Sequence, residues 1–559
     1  MNDSPKPDTA PASGAPVPSH PENAGREFDS PSDSPKEAIP GHVPTRGCVY
    51  LVGAGPGEPK LLTLWAAEIL GKADLVLYDY LVDPRVLEFA PPEAEKVSLG
   101  HHSRGHHWTQ DEINRRILEA ADQGKTVVRL KSGDPVVFGR QADEAEFLRK
   151  AGARVVIIPG ITAGLAVGAL GEIPLTHAEF ASAVALVTGQ QSHEFHGAPL
   201  NYQSLAAFPG TLVFYMGVRS ASVWAEELMR HGKPADTPVV LVRRCGWPNQ
   251  QTVFTSLGEI ASVIEKQAVK PPAVIVVGEA ARHAPVRSWF VDRPLFGRCC
   301  VVTRPEHQTD KIREMLVDLG AEVLTHPAVE IVPPDDWADV DAAIAGLSTF
   351  DWVVFSSANG VRFFFDRMRQ LGRDARAFGQ ARIAAIGPGT AEELQRFLIR
   401  ADLIPPEFRA ESLAGALLTQ ESGRRYLLVR ASRGRPTLAE SLKQAGRDVT
   451  QVTAYVNRDV ETPQPDIVER IREGAVHWMT VTSSSIAASL AKLFGEDLHL
   501  VKLASISPIT SETLRSLGFE PAVEASVYTM SGIVDAICRY ERMNSTGQDG
   551  PHASNPSER

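Results

Sequence analysis

Three turns in the first half of the chain combine glycine with small polar residues, and each follows a short apolar run typical of a β-strand. They are Gly53 to Glu58, Leu130 to Pro135 and Pro159 to Gly164. Turns between a strand and a helix are where α/β proteins bind ligands, and glycine allows a ligand to approach the backbone closely. Glu58 stands where the third glycine of the dinucleotide fingerprint would fall, so that motif is not matched. Each turn alone could be purely structural, and Asp134 could simply cap the next helix.

A repeated design in the second half places small hydroxyl or glycine residues after strand-like runs and before helix starts. The six segments are 302–305, 355–361, 386–391, 428–431, 481–485 and 507–510. Backbone N–H groups and hydroxyls at such turns can bind anions. For any one segment, ordinary capping of a helix by Ser or Thr is the alternative. The six segments together favour an anionic ligand.

Short apolar runs alternate with helical patterns along the chain, beginning with a strand-like run over 48–52, a helical pattern over 61–70 and a strand-like run over 75–78. This alternation predicts an α/β fold with mostly parallel sheets. The pattern restarts at Cys299, after residues 292–297, so the second half is also predicted to be α/β and to form a separate unit.

The two ends of the chain differ in composition from its middle. They are rich in Pro, Ser and Asp and poor in branched apolar residues, so they cannot bury enough surface to offset their ordering entropy. The predicted division is a disordered tail over 1–46, a first domain over 47–290, a second domain over 298–540 and a disordered tail over 541–559.

Composition narrows the class of protein further. The chain has 559 residues, of which 43% are hydrophobic, so each half can bury a core of its own. The formal net charge of −11 argues against a nucleic-acid partner, which usually needs a basic face. The five cysteines form no Cys-x-x-Cys pair, which argues against a disulfide framework or structural zinc and favours a cytoplasmic setting. No apolar run approaches the ~18 residues of a membrane span, and no secretory signal pattern is found.

In their order along the chain, the motifs of the first half resemble the tetrapyrrole methylase family, and within it the uroporphyrinogen-III C-methyltransferases. The resemblance spans about residues 47–285. The matching segments are 52–57, 78–79, 110–114, 129–140, 159–163, 173–177, 187–189 and 213–217. It implies two α/β lobes with S-adenosylmethionine in the cleft between them. It also implies methylation of uroporphyrinogen III at ring carbons 2 and 7, which gives precorrin-2.

The same resemblance implies roles for single residues. The cofactor site would be lined by Pro56, Ser132, Gly133, Asp134, Val137, Thr162, Ala163 and Met216, with a backbone contact at Cys245. Asp79 matches the family's proposed proton acceptor, which fits because a methylated ring carbon must lose a proton. His101 stands where the family usually has a lysine proton donor, and residues 243–248 also depart from the family pattern. Arg104 and Arg140 would bind carboxylates of the substrate.

The departure at His101 belongs to a cluster that also holds His102, Arg104, His106 and His107. Such a cluster could be a metal site or a solvated loop without function. The substrate implied by the resemblance carries eight carboxylates, so a carboxylate-binding loop is favoured and no metal is predicted.

The motifs of the second half, also in their order, resemble uroporphyrinogen-III synthase over about residues 298–540. Further landmarks are 401–405, 410–413, 454–455 and 525–529. The resemblance implies two α/β lobes joined by two crossing strands, one lobe from 298–331 plus 460–540 and the other from 332–459. It also implies closure of hydroxymethylbilane into a ring with inversion of the last pyrrole, without a cofactor.

In this synthase-like half, Tyr455 matches a tyrosine thought to assist departure of the hydroxyl as a hydrogen-bond donor. Polar positions around the cleft would be Thr390, Ser483, Ser484 and Thr510. Arg304, Arg430 and Arg433 could pair with carboxylates bidentately.

Other functions stay open at this point. The first half could methylate RNA or protein, although the acidic charge and the second half argue against this. The second half could bind tetrapyrroles without catalysis. The implied product feeds both sirohaem and cobalamin formation. We expect small tetrapyrrole substrates, a possible homodimer through the first half, and neither nucleic acid nor a membrane as partner.

Overall fold

The computed structural model describes residues 47–100, 108–191, 198–304, 310–420, 423–434 and 436–545. Within these ranges the chain forms four five-stranded sheets, two in each half, with helices between the strands. The α/β fold predicted from the alternating pattern is confirmed.

The first sheet is parallel throughout, with strand order β3-β2-β4-β1-β5. Its strands are β1 (Cys48–Gly53), β2 (Leu75–Tyr78), β3 (Glu95–Ser98), β4 (Val127–Lys131) and β5 (Arg154–Ile158). The helices of this lobe and of the connection that follows it are α1 (Leu64–Leu70), α2 (Gln110–Asp122), α3 (Gln141–Lys150) and α4 (Ala163–Leu170). All five residues of the central strand β4 are buried, including the charged Arg129 and Lys131.

The second sheet has the order β6-β7-β10-β8-β9. Its strands are β6 (Val184–Thr188), β7 (Thr211–Tyr215), β8 (Pro238–Arg243), β9 (Gln251–Ser256) and β10 (Ala273–Val277), and its helices are α5 (Tyr202–Ala206), α6 (Ala221–Arg230) and α7 (Ile260–Lys266). Only β6 and β7 pair in parallel, so the prediction of mostly parallel sheets is wrong here. Residues 244–250 between β8 and β9 are too few for the crossover that parallel strands need.

The second half contains two further sheets. The order β12-β11-β18-β19-β20 is parallel throughout, whereas in β13-β17-β16-β14-β15 the pair β13–β17 is antiparallel. The strands of the former are β11 (Cys299–Val302), β12 (Glu322–Thr325), β18 (Trp478–Val481), β19 (Lys502–Ser505) and β20 (Val523–Glu524). Those of the latter are β13 (Val329–Val332), β14 (Trp352–Phe355), β15 (Arg382–Ala385), β16 (Arg425–Ala431) and β17 (Asp448–Asp459).

Ten helices accompany these two sheets in the described residues. They are α8 (Asp310–Asp318), α9 (Ala338–Ala345), α10 (Ala358–Gln370), α11 (Pro388–Arg396), α12 (Ala410–Leu418), α13 (Thr437–Gln444), α14 (Pro465–Arg472), α15 (Ser484–Phe494), α16 (Pro508–Ser516) and α17 (Met530–Ser545). No helix in the described part of the chain is long and apolar enough to cross a bilayer.

The last helix, α17, extends to Ser545 and so enters the segment for which disorder was predicted from residue 541 onwards. Its Glu541 is buried, accepts a hydrogen bond from the indole N–H of Trp478 at 2.8 Å and pairs with Arg298 at 2.8 Å. These contacts attach the end of α17 to the sheet, although the composition of the residues from 541 onwards does not indicate a helix. Residues 1–46 and 546–559 lie outside the described residues.

Residues 288–297 connect the two halves and contact both of them. Ser288 Oγ donates to the Leu170 carbonyl at 2.6 Å, and Trp289 Nε1 donates to the Ala169 carbonyl at 3.1 Å, so this segment satisfies carbonyls at the end of α4. The Gly297 N–H donates to the Pro248 carbonyl at 3.0 Å. Ion pairs Lys60–Asp318 and Glu88–Arg313 add side-chain contacts between the halves.

The ends of β1, β4 and β5 approach so closely that glycine is required on steric grounds. A Cβ on Gly160 would lie 2.3 Å from the Gly133 carbonyl oxygen and 2.7 Å from the Gly53 Cα. A Cβ on Gly53 would lie 2.5 Å from the Gly160 nitrogen. Any larger residue would push the three strand ends apart.

We therefore expect the Gly160→Ala substitution to destabilise the first half by about 1–3 kcal/mol through overpacking. Urea unfolding followed by tryptophan fluorescence would measure this change. Gly415→Ala is the control, because Gly415 is exposed on α12 with open space where a Cβ would be, and should stabilise by about 0.5–1 kcal/mol. A midpoint unchanged by Gly160→Ala would show that the strand ends can part at no cost.

Candidate active sites

The glycine turns of the first half meet at the carboxyl edge of the first sheet. The Gly133 N–H donates to the Gly55 carbonyl at 2.7 Å, and the Gly55 N–H donates to the Gly133 carbonyl at 3.1 Å. Both residues have a left-handed backbone, with φ of +70° for Gly133 and +74° for Gly55, which glycine adopts at little cost. The turns after β1 and β4 thus form one continuous backbone surface, with Pro56 buried at its edge.

Asp134 joins this surface to the third turn. One carboxylate oxygen accepts from the Val136 N–H at 2.8 Å, and the other accepts from the Gly160 N–H at 3.0 Å. Ser132 and Val137 flank it on the same turn and are half-buried. Asp134 is therefore more than a local cap, because it fixes the spacing between two turns that are distant in sequence.

The second sheet contributes the opposite side of the site through Tyr215, at the end of β7. Its hydroxyl lies 2.6 Å from Thr162 Oγ1 and accepts from the Gly164 N–H at 2.6 Å. Met216 follows, half-exposed and with φ of +52°. Because Thr162 and Ala163 begin α4, this contact brings the predicted Thr162, Ala163 and Met216 together.

Cys245 lies in the turn after β8, which packs against the first glycine turn. A Cβ on Gly57 would lie 3.1 Å from the Cys245 carbonyl oxygen and 2.4 Å from Trp247 Cδ1. The Cys245 side chain lies in the apolar core, where burial raises the pKa of the thiol to about 12. Only backbone atoms of Cys245 are therefore available beside the turn.

Four residues around this site that are not glycine have a left-handed backbone: Phe138, Arg140, Met216 and Arg244. Such conformations cost about 1–3 kcal/mol each and persist mainly at functional sites. The Phe138 ring lies 4.9 Å from that of Tyr215. Tyr215 and Phe138 were not predicted as site residues, although both lie inside segments that the sequence singled out.

Asp79 directly follows β2, on the same edge of the sheet. One of its carboxylate oxygens accepts from Arg129 Nη2 at 2.5 Å, and its side chain is 31% exposed while that of Arg129 is 5% exposed. Arg129 and Lys131 were not predicted as site residues. The sequence signal that could have identified them is the presence of charged residues at alternate positions of an otherwise apolar strand.

The remaining predicted residues of the first half are Arg140, His101 and Arg104. Arg140 is exposed at the start of α3. His101 and Arg104, with the rest of the histidine cluster, lie outside the described residues.

The second half has a cavity of about 380 Å³ at the starts of α10 and α11. It is lined by Arg304, Ser357, Ala358, Asn359, Arg362, Gly387, Gly389 and Thr390. Thr390 and Arg304 were expected here, whereas Ser357, Asn359 and Arg362 were not named as site residues. Burial lowers the pKa of Arg304, and this side chain lines the cavity from the neighbouring β11 sheet.

Tyr455 of β17 lies behind this cavity wall. Its hydroxyl is 3.0 Å from Ser357 Oγ and also hydrogen-bonds with Asn359. Burial raises the pKa of Tyr455, while these two hydrogen bonds oppose the rise. Tyr455 therefore stays protonated at neutral pH and can donate a hydrogen bond.

The other predicted residues of the second half do not line the cavity. Ser483 caps α15 by accepting from the Ile486 N–H at 3.2 Å, and Ser484 Oγ accepts from Thr513 at 2.9 Å. Thr510 is buried 3.1 Å from Ser507, the cap of α16. These contacts match the capping alternative. Arg430 and Arg433 are bound to Gln451 and Asp459 respectively.

Comparisons with known proteins find a different family in each half. The family described as "Tetrapyrrole (Corrin/Porphyrin) Methylases" matches residues 48–261, and that described as "Uroporphyrinogen-III synthase HemD" matches residues 310–535. A "Porphyrin biosynthesis protein HemD" of Ruminiclostridium josui is 31% identical over 88% of this chain and 97% of its own length.

Two other relatives are methyltransferases by name. A "Uroporphyrinogen-III C-methyltransferase" of Bacillus subtilis (strain 168) is 36% identical over 66% of this chain and 76% of its own length. An "S-adenosyl-L-methionine-dependent uroporphyrinogen III methyltransferase" of Methanosarcina barkeri is 44% identical over 42% of this chain and 91% of its own length. The chain is therefore a bifunctional enzyme that belongs to the tetrapyrrole methylases in its first half and to the uroporphyrinogen-III synthases in its second.

Proposed function

We propose that the two halves act in sequence on one tetrapyrrole. The second half, over about residues 298–540, closes hydroxymethylbilane to uroporphyrinogen III. The first half, over about residues 47–290, methylates that product at ring carbons 2 and 7 to precorrin-2, for sirohaem and also for cobalamin. One observation carries this proposal. In each half, polar groups that suit the proposed reaction of that half lie together where neighbouring strands end.

The first half would hold S-adenosylmethionine with backbone atoms more than with side chains. Gly55 and Gly133 leave their turns open, and a Cβ on Gly133 would be only 3.7 Å from the Thr162 Cα, in the space where a flat ligand group fits. The bound cofactor supplies an electrophilic methyl group. The contacts would come from Pro56, Ser132, Gly133, Asp134, Val137, Thr162, Ala163, Met216 and the backbone of Cys245.

Asp79 would take the proton that the substrate loses once its ring carbon is methylated. It is the partly exposed carboxylate at the edge of the site, and Arg129 orients it. His101 would return a proton to the ring system, and Arg104 and Arg140 would bind substrate carboxylates. These three assignments rest on sequence, and only Arg140 is among the described residues.

In the second half, Tyr455 would donate a hydrogen bond to the departing hydroxyl of hydroxymethylbilane. Its neighbour Ser357 faces the cavity, so a small shift of this pair would bring the phenol to the substrate. Arg304, Arg362 and Thr390 would bind carboxylates in the cavity. Ser483, Ser484 and Thr510 would contact the substrate from the neighbouring lobe. We propose no cofactor for this half.

A homodimer through the first half is also proposed. Leu64 is 91% exposed, and Trp65 and Leu165 are each at least half exposed, although all three are apolar. Exposed apolar residues on neighbouring helices are typical of a surface that another subunit covers. A mass measurement in solution would test this.

The proposed sequence of steps predicts the products directly. The purified chain should convert hydroxymethylbilane to the type III isomer without S-adenosylmethionine, and to a dimethylated product with it. Absorption and mass would identify both. If only the type I isomer formed, as it does by spontaneous closure, the second half would bind tetrapyrroles without catalysing the closure.

The role of Asp79 predicts that Asp79→Asn lowers kcat for methylation of uroporphyrinogen III by about 10²–10⁴-fold, because the general base is lost. Binding of S-adenosylhomocysteine, measured by calorimetry, should be preserved. Asp143→Asn on the exposed side of α3 is the control and should leave kcat unchanged. Synthase activity of the same preparation reports on folding. A wild-type kcat for Asp79→Asn would contradict the assignment.

The role of Tyr455 predicts that Tyr455→Phe lowers the rate of type III formation by about tenfold, which corresponds to one lost hydrogen bond. Spontaneous closure would then raise the type I fraction. Tyr426→Phe is a matched control in the adjacent strand, since the buried Tyr426 hydroxyl has no hydrogen-bond partner among the described residues. Equal isomer ratios in both variants would argue against a role for the Tyr455 hydroxyl.

A further inference from the structure

Four charged side chains alternate in sign behind the edge of the first sheet. Arg129 Nη2 lies 2.5 Å from Asp79, and Arg129 Nε lies 3.6 Å from Glu144 Oε1. Lys131 Nζ donates to Glu144 Oε2 at 2.9 Å. Gln110 of α2 adds an amide donor to Glu144 Oε1 at 3.2 Å. Arg129 is thus held between Asp79 and Glu144, and Lys131 contacts Glu144 at the other end of the row.

Only one end of this row is open to the site. The side chains of Arg129, Glu144 and Lys131 are 5%, 3% and 6% exposed, whereas that of Asp79 is 31% exposed. Buried ion pairs generally contribute little to stability, because desolvation offsets their attraction. A row of this kind is therefore poorly explained as a stabilising device alone.

We propose that Glu144 and Lys131 are positioning residues that determine how strongly Arg129 holds the Asp79 carboxylate. This inference rests on the proposed role of Asp79 as proton acceptor. Neither Glu144 nor Lys131 reaches the site itself, so both act through Arg129.

The physical basis is the division of one positive charge between two carboxylates. A carboxylate beside an unshared guanidinium holds protons weakly and is a poor base. Glu144 draws part of the Arg129 charge away from Asp79, and Lys131 in turn limits how much Glu144 draws. Burial and the nearby Arg129 lower the pKa of Lys131, and the charges of Glu144 and Asp79 oppose this fall.

Tyr80 adjoins Asp79 in sequence, and burial and the Asp79 charge raise the pKa of Tyr80 while Arg219 lowers it. Changes at Glu144 and Lys131 should reach Asp79 through Arg129 and through their own charges.

The test is the pH dependence of kcat for methylation of uroporphyrinogen III by the full chain. In Glu144→Gln, Arg129 pairs with Asp79 only, so the acid limb of the kcat–pH profile should move to lower pH by about one unit. In Lys131→Met, Glu144 loses its other cation and attracts Arg129 more strongly, so the acid limb should move to higher pH by about one unit. The double variant restores the charge balance and should return the limb close to wild type. Glu146→Gln, an exposed change on the same helix, is the control.

A merely structural role would lower activity or stability in both single variants without moving the limb in opposite directions. The inference would therefore be overturned if the acid limbs of both single variants stayed at the wild-type pH, or if both moved in the same direction. If a single variant fails to fold, the double variant and the remaining single variant still decide between the two cases. Asp79→Asn tests the proton-acceptor role of Asp79 separately from the positioning role of Glu144 and Lys131. If Asp79→Asn lowers kcat while the acid limbs of the Glu144 and Lys131 variants stay in place, only the positioning role fails. If Asp79→Asn retains full activity, the proton-acceptor role fails as well.

Discussion

Close packing of backbone at the ends of β1, β4 and β5 determines how the turns of the first half are arranged. Gly53 and Gly160 pack against each other and against the Gly133 carbonyl, with no room for a Cβ on either Gly53 or Gly160. Strands that pack this closely place their following turns side by side. Asp134 then fixes two of those turns with its two oxygens. The arrangement of the turns at the candidate cofactor site is therefore a consequence of strand packing.

The same sheet buries charge behind its carboxyl edge. A strand as deeply buried as β4 would ordinarily be apolar, yet it carries Arg129 and Lys131 on one face. Glu144 of α3 and the partly exposed Asp79 together offset these two positive charges. Left-handed residues at Phe138, Arg140 and Met216 add conformational strain around the same cleft. Such strain lowers stability locally, and it is found mainly at functional sites, where side chains must be held in defined positions.

Much of this site could be predicted from the order of local motifs, because each turn after a strand is a local feature. Residues 53–58, 130–135 and 159–164 were each predicted to follow a strand, and the structure places all three together. Contacts between distant segments could not be predicted. Tyr215 reaches Thr162 across 53 residues and Arg129 reaches Asp79 across 50, and nothing local specifies either partner. Likewise, a hydroxyl residue that caps a helix and one that lines a cavity can have similar local sequences, which is why Ser483 could not be separated from Thr390.

The segment that connects the two halves contacts the helix that begins at the candidate cofactor site. Ser288 and Trp289 bind carbonyls at the end of α4, and the beginning of that helix carries Thr162 and Ala163. Gly297 binds Pro248, close to the turn that packs on Gly57. The same connecting segment also contacts the second half, because the Leu295 N–H donates to the Leu319 carbonyl at 2.8 Å. One short segment thus contacts both the end of α4 and the synthase half.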